Sequence, residues 1–237
     1  VRIVYSGATN GWIPTLDQTV ADVPSRGNEN GLFGFGNDGS VTAVTNKVSS
    51  VGVVASDTAG VGTGRQSLAG CTYGGDKGIF GFGNNPVYYS LTNLVSNTGV
   101  VSADVTGVGT ARAYIAACEY GTDKAIFGLG YTAADINVSY SNLVSNAGVV
   151  ATDVATASGT ARSNHAACGY GDDKGVFGYG GDSGGYLSMT NLVSNVGVIG
   201  ADVTGVGTAR TQLGATQYGY DKGIFGYGVG PVSVTNL

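Results

Sequence analysis

This sequence predicts an all-β fold built from five repeated sheets, and three observations predict it. The phrase Phe-Gly-x-Gly occurs five times, at Phe33, Phe80, Phe127, Phe177 and Phe225, with spacings of 47, 47, 50 and 48 residues. A fixed period in this range is the signature of a repeat architecture. Around each phrase run short apolar segments with period-two alternation, separated by Gly- and Asn-rich turns. No stretch carries a helical apolar period.

Successive residues of a strand face opposite sides, so Phe80 and Phe82 should share one face and Gly81 and Gly83 the other. Glycine inside a strand costs about 0.5–1 kcal/mol relative to alanine, so its recurrence needs a cause. Close approach of a neighbouring group is the usual one. Stacked sheets supply it when the aromatic face of one packs on the glycine face of the next. Radial repetition of such sheets gives a β-propeller, whose blades hold about four strands in ~40–50 residues. The expectation is a single domain over residues 1–237, a five-bladed propeller with four antiparallel strands per blade.

Taken in order, Val1–Tyr5 reads as a short strand, followed by a loop with Asn10-Gly11, the sole tryptophan Trp12 and Pro14. A second strand is expected near Thr19–Val23, then a turn over Gly27–Gly31. The second unit serves as the type. Strands are expected at about Arg65–Tyr73, Lys77–Gly83, Tyr88–Ser96 and Val100–Val105. Gly74-Gly75-Asp76 and Asn97-Thr98-Gly99 are the turns, where Gly and Asn tolerate positive φ. Repeat units fall near 15–57, 65–105, 112–154, 162–203 and 210–237. The last lacks its fourth strand, and Val1–Tyr5 is expected to supply it, closing the ring and removing a sheet edge.

Composition excludes several classes. The chain is 42% hydrophobic with periodic apolar residues, which is not a disordered composition. No run of about 20 apolar residues offers a membrane-spanning helix. No signal-peptide pattern opens the chain, and a start at Val1 reads as a processed or cut N-terminus. Repeat-position charges cancel, eight against eight, and the remaining residues give the net charge of −5. An acidic chain without a basic stripe is not expected to bind nucleic acid.

Arg162-Ser163-Asn164-His165-Ala166-Ala167, followed by Phe177-Gly178-Tyr179-Gly180-Gly181, resembles a kelch repeat, with its Arg-x-x-His-like start and double glycine. Only this unit has the His and the double glycine, and the family's later Trp is absent. The resemblance implies a kelch-like propeller over nearly the whole chain. The full unit, typified by Thr92-Asn93-Leu94-Val95-Ser96-Asn97 and Asp104-Val105-Thr106-Gly107-Val108-Gly109-Thr110-Ala111-Arg112, is also similar to repeats of phage and environmental viral proteins, often tail- or fibre-associated. That implies a virion surface protein, located extracellularly or on the particle, and part of a larger assembly.

Candidate chemical groups are mostly repeat positions. Cys71, Cys118 and Cys168 occupy one place in three units, so they are expected far apart as small buried thiols. His165 is the only histidine and stands where Leu68, Ile115 and Leu213 stand elsewhere, which favours a packed structural role over a triad or a zinc site. Gly107-Val108-Gly109-Thr110 has the wrong spacing for a phosphate loop. Asp57, Asp104, Asp153 and Asp202, each eight or nine residues before Arg65, Arg112, Arg162 and Arg210, read as ion pairs pinning the crossings between units. Asn93, Asn142, Asn191 and Asn236 read as backbone binders. No catalytic residue, metal ligand or cofactor is expected.

The loops after Phe-Gly-x-Gly differ in every unit, and variable loops on a rigid scaffold are where binding concentrates. They carry Tyr88, Tyr89, Tyr131, Asp135, Asp182 and Tyr186, aromatic and acidic groups suited to sugar faces and hydroxyls. Solvated loop tips are the plainer reading. The expected function is a non-catalytic binding or structural module on a particle surface, a phage tail or fibre component recognising a glycan or docking a virion protein. A secreted multivalent lectin is the alternative, and a carbohydrate-active enzyme using Asp135 and Asp182 the third.

Overall fold

The computed structural model describes residues 3–5, 12–14, 29–155, 159–219, 221–229 and 233–237. Those residues form small antiparallel sheets and, among them, no helix. In the second unit Ala69–Tyr73 pairs with Lys77–Gly81, which pairs with Thr92–Val95. The third repeats this with Ala116–Tyr120, Lys124–Gly128 and Tyr140–Val144, extended by Val154–Ala155. The fourth uses Ala166–Tyr170, Lys174–Gly178 and Thr190–Val193, and the fifth Gly214–Tyr218, Lys222–Gly226 and Thr235–Asn236. The first unit shows Gly31–Asn37 paired with Val41–Val48. Register is constant: Phe33, Phe80, Phe127, Phe177 and Phe225 lie opposite Asn46, Asn93, Asn142, Asn191 and Asn236.

Apolar burial is concentrated between units. One cluster joins Tyr73, Ile79 and Phe82 to Ile115 and Phe127; the next joins Tyr120, Ile126 and Leu129 to Phe177 and Val193; a third joins Cys168, Val176 and Tyr179 to Phe225. The joint is an aromatic ring on a glycine, as expected, but Phe80 and Phe82 do not share a face: Phe80 packs on Gly34 and Phe35 of the preceding unit, whereas Phe82 meets Phe127 of the following one. A Cβ on Gly81 would lie 2.7 Å from Cζ of Phe127, one on Gly128 2.7 Å from Cζ of Phe177, and those on Gly34 and Gly178 3.0 and 2.9 Å from Phe80 and Phe225. The x residue of one unit meets the same incoming ring: Phe35–Phe80, Phe82–Phe127 and Tyr179–Phe225 have centroids 5.2–5.4 Å apart. Such pairs contribute about 0.5–1.5 kcal/mol beyond area burial.

Backbone hydrogen bonds stitch the same joints. The Gly36, Gly83, Gly130 and Gly180 amides donate to the Arg65, Arg112, Arg162 and Arg210 carbonyls at 2.9–3.0 Å. At the hairpin tips the Gly74, Gly121 and Gly171 amides donate to Asp123, Asp173 and Asp221 carbonyls at 2.7 Å.

Several expectations are corrected. From the second unit onward the phrase is not strand throughout: strands end at the first glycine, Gly81, Gly128, Gly178 and Gly226. In all five copies the x residue has φ of 59–64° and the second glycine φ of 97–118°. The second glycine is therefore required by a left-handed turn that aims its amide at the next unit. The expected fourth strand at Val100–Val105 shrinks to bridges at Val101 and Val105. Asn93 explains this, because its side chain takes the Ser102 carbonyl and the Asp104 carboxylate in place of a ladder.

Among the described residues Ile3–Tyr5 makes no pairing with the last unit. It pairs with Trp12–Pro14, Ile3 opposite Pro14 and Tyr5 opposite Trp12. Closing a short local loop costs less chain entropy than joining the two ends of the sequence. The strand expected near Thr19–Val23 lies outside the described residues. Nor are the cysteines remote: Cys118 Sγ packs where Gly175 of the next unit lacks a Cβ, and Cys168 does so at Gly223. Units are one sheet apart, so equivalent thiols sit in neighbouring layers. All three are free, and burial raises each thiol, Cys168 to about 11.

Gly128→Ala should destabilise the chain by about 1–3 kcal/mol, because the fully buried Phe177 ring cannot give way. Urea unfolding of the variant against wild type checks this, and an unchanged midpoint would contradict it.

Candidate functional site

Two sets of repeat residues turn out to be structural. Arg112, fully buried, donates from Nε to the Leu129 carbonyl at 2.8 Å, from Nη1 to the Thr110 carbonyl at 3.1 Å and from Nη2 to Asn142 Oδ1 at 2.6 Å. Its guanidinium lies 4.3 Å from the Phe82 ring centroid. Arg65 makes the equivalent bonds to Phe82, Thr63 and Asn93. The ion pairs use a different register from the one the spacing suggests. Asp104 pairs with Arg65 at 3.8 Å, Asp153 with Arg112 at 3.5 Å and Asp202 with Arg162 at 4.0 Å, so each Asp meets the arginine before it in sequence rather than the one after. Asp57 bonds Asn46.

These contacts form one clamp. The Thr110 amide and hydroxyl both donate to Asp153, whose other oxygen takes Asn142 Nδ2. Burial works against ionisation of Asp153, but these donors and Arg112 together hold its carboxyl below the usual range. Burial lowers Arg112 and Arg162 to about 10, still charged at neutral pH.

His165 is buried against Phe177, with Nε2 3.2 Å from the Gly128 carbonyl and Nδ1 unpartnered. Burial, with Arg162 and Arg112 adding, depresses the imidazole to about 3. It is a neutral donor inside a joint.

The variable loops hold the other candidates, and the structure brings some of them together. Tyr114 and Tyr131 stack edge-on with centroids 6.4 Å apart. Burial and then the nearby Asp135 charge raise the Tyr131 phenol. Tyr88, from the preceding unit, is raised first by burial, with Tyr114, Tyr131 and Asp135 near enough to add to the shift. Asp135 is exposed, on a turn with φ of 58° closed by its amide to the Thr132 carbonyl. The patch is thus three partly exposed phenol rings beside a carboxylate.

The remaining candidates lie elsewhere. The Tyr89 hydroxyl donates to the Asn85 carbonyl. Asp182 and Tyr186 belong to a hairpin of Gly181–Asp182 and Gly185–Tyr186 in the fourth unit, where Asp182 caps the Gly184 amide and Tyr186 is exposed. Sequence reasoning missed Tyr114. Its neighbours in the repeat are Ser67, Asn164 and Gln212, and all four have φ of 53–55° with backbone bonds running from unit to unit. The signal was a lone tyrosine in a small or polar column.

No protein-family model matches the chain, and no curated protein matches it.

A separate cleft of about 1,920 Å3 is lined by Gly31–Gly34, Leu68–Thr72, Glu119 and Gln217–Gly219. It includes none of the tyrosine patch. Burial raises the Glu119 carboxyl at its wall. Among the described residues no three His, Cys, Asp or Glu side chains gather as a metal site, and no helix is long and apolar enough to cross a membrane.

An unfolded histidine titrates near ~6.5. Between that value and about 3 the unfolded chain binds the extra proton, so stability is lost as the pH is lowered through that window. The slope should reach about 1.4 kcal/mol per pH unit. His165→Leu, the residue type of Leu68 and Leu213, should flatten stability measured between pH ~6.5 and ~5. A slope equal to wild type would show that the imidazole is not held neutral.

Proposed function

We propose that this chain is a non-catalytic module of five kelch-like repeated sheets that recognises a glycan on its variable-loop face. The observation that carries this reading is the patch of Tyr88, Tyr114, Tyr131 and Asp135. A sugar ring has an apolar C–H face and a rim of hydroxyls. Tyrosine rings cover the first with rigid area at little entropic cost, and phenols and a carboxylate bond the second. Repeated sheets joined at constant register are the rigid scaffold such a surface needs.

The setting we propose is the outside of a particle, as a tail- or fibre-associated module of a phage-like virion. The low content of charged residues and the resemblance of the repeat unit to viral tail repeats support it. The patch occurs once: Ser67, Asn164 and Gln212 stand where Tyr114 stands, and Asn84, Gly181 and Val229 where Tyr131 stands. That favours a single-site receptor binder over a multivalent lectin. Asp182 is occupied by its own turn, which gives Asp135 no evident carboxylate partner for hydrolysis.

Glycan-array binding of the labelled protein tests this. Tyr88→Ala with Tyr131→Ala should weaken the best-bound glycan by about tenfold or more, ~1.4 kcal/mol, while Tyr186→Ala leaves it unchanged. Absence of binding by folded wild type, or binding that the double variant keeps, would contradict the reading.

A further inference from the structure

Each joint between units has two halves. One unit offers a phenylalanine ring, and its predecessor offers a bare glycine flanked by the x residue. Phe80, Phe127, Phe177 and Phe225 fill the seats at Gly34, Gly81, Gly128 and Gly178. One ring and one seat are left over. Phe33 of the first unit is 66% exposed. At the other end a Cβ on Gly226 would meet only Thr235, at 3.3 Å, and Tyr227 is 67% exposed, whereas its equivalents Phe82 and Tyr179 are buried under the next ring. The Gly219 and Gly228 amides follow the same pattern. Their equivalents Gly171 and Gly180 donate to the next unit, and they have no acceptor among the described residues. Within one chain the two halves stay apart, with Gly31–Gly34 and Gln217–Gly219 on the walls of the open cleft.

We propose that Phe33 and the Gly226–Tyr227 surface are the two sides of one interface, through which copies of this chain join head to tail. The occupant of each end is a second copy, because the contact needed is the one the chain already makes four times internally. Phe33 would sit on Gly226 as Phe225 sits on Gly178, with Tyr227 edge-on to it as Tyr179 is to Phe225. A heterologous contact of this kind continues into a spiral when its rotation does not close. This assembly is independent of the tyrosine patch, which no joint covers.

Light scattering of the purified chain over a wide concentration range tests the proposal. Wild type should show mass rising with concentration. Phe33→Ser, which keeps only the seat, and Gly226→Ala, which keeps only the ring, should each remain monomeric. Phe33 is exposed, and Gly226→Ala asks only the Thr235 methyl, 3.3 Å away, to give slightly; circular dichroism checks that the variants are folded. Mixed together, they should form heterodimers and nothing longer, since each supplies the half the other lacks. Wild type that is monomeric throughout would overturn the proposal. So would monomeric wild type whose melting temperature falls on Phe33→Ser, because the ring would then be seated within its own chain.

Discussion

A phenyl ring lying on a bare α-carbon sets the distance between neighbouring units. With Cζ of Phe127 or Phe177 2.7 Å from where a Cβ would sit, even one methyl group would push two sheets apart. Other inter-unit contacts depend on that distance. The Gly83 and Gly130 amides reach the carbonyls of Arg112 and Arg162 only if the left-handed turn stays close to the next unit. The thiols of Cys118 and Cys168 likewise fit because Gly175 and Gly223 leave the space. Removing apolar area between layers, rather than filling one central core, is then the main stabilising term.

Buried charge is the second constraint, and it is satisfied locally. Each fully buried arginine of the second and third units uses Nε and both Nη groups on a backbone carbonyl, a threonine carbonyl and an asparagine. The carboxylate beyond, 3.8 Å from Arg65 and 3.5 Å from Arg112, finishes the network rather than forming a close pair. Losing a partner from such a network leaves an unpaired buried charge, which costs far more than the pair contributes. In the fifth unit Arg210 Nε and Asn236 Oδ1 are buried without partners among the described residues, so the clamp is looser there than in the second and third units. The tyrosine patch is built differently: Tyr88, Tyr131 and Asp135 come from loops that vary between units, and only Tyr114 stands in a repeat column.

Much of this was legible in the amino-acid order. The period, the antiparallel hairpins and the ring-on-glycine contact follow from Phe-Gly-x-Gly alone, because strand alternation separates phenylalanine from glycine. The turn inside the phrase was not legible: Phe82 and Leu129 carry no sign that they take φ near 60°, a conformation imposed by the neighbouring unit. The arginine register was lost for a related reason. Asp153 lies close in sequence to Arg162, yet bonds Arg112 because the threonine loop before Arg112 folds back across the third strand. Pairing of Ile3–Tyr5 with Trp12–Pro14 shows the same limit in reverse, a local hairpin prevailing over a distant sheet edge. At the candidate site, loop variability pointed to Tyr88, Tyr131 and Asp135 but not to Tyr114, which sits in a repeat column.

Native-state hydrogen exchange at the second glycine of each phrase tests most directly the claim that units are stitched to one another. The Gly83, Gly130 and Gly180 amides, each held by the arginine carbonyl of the following unit, should exchange only through global unfolding. The Gly228 amide, which has no acceptor among the described residues, should exchange at nearly the unprotected rate. Fast exchange at Gly83 and Gly130, or protection of Gly228 equal to theirs in a monomer, would contradict the account.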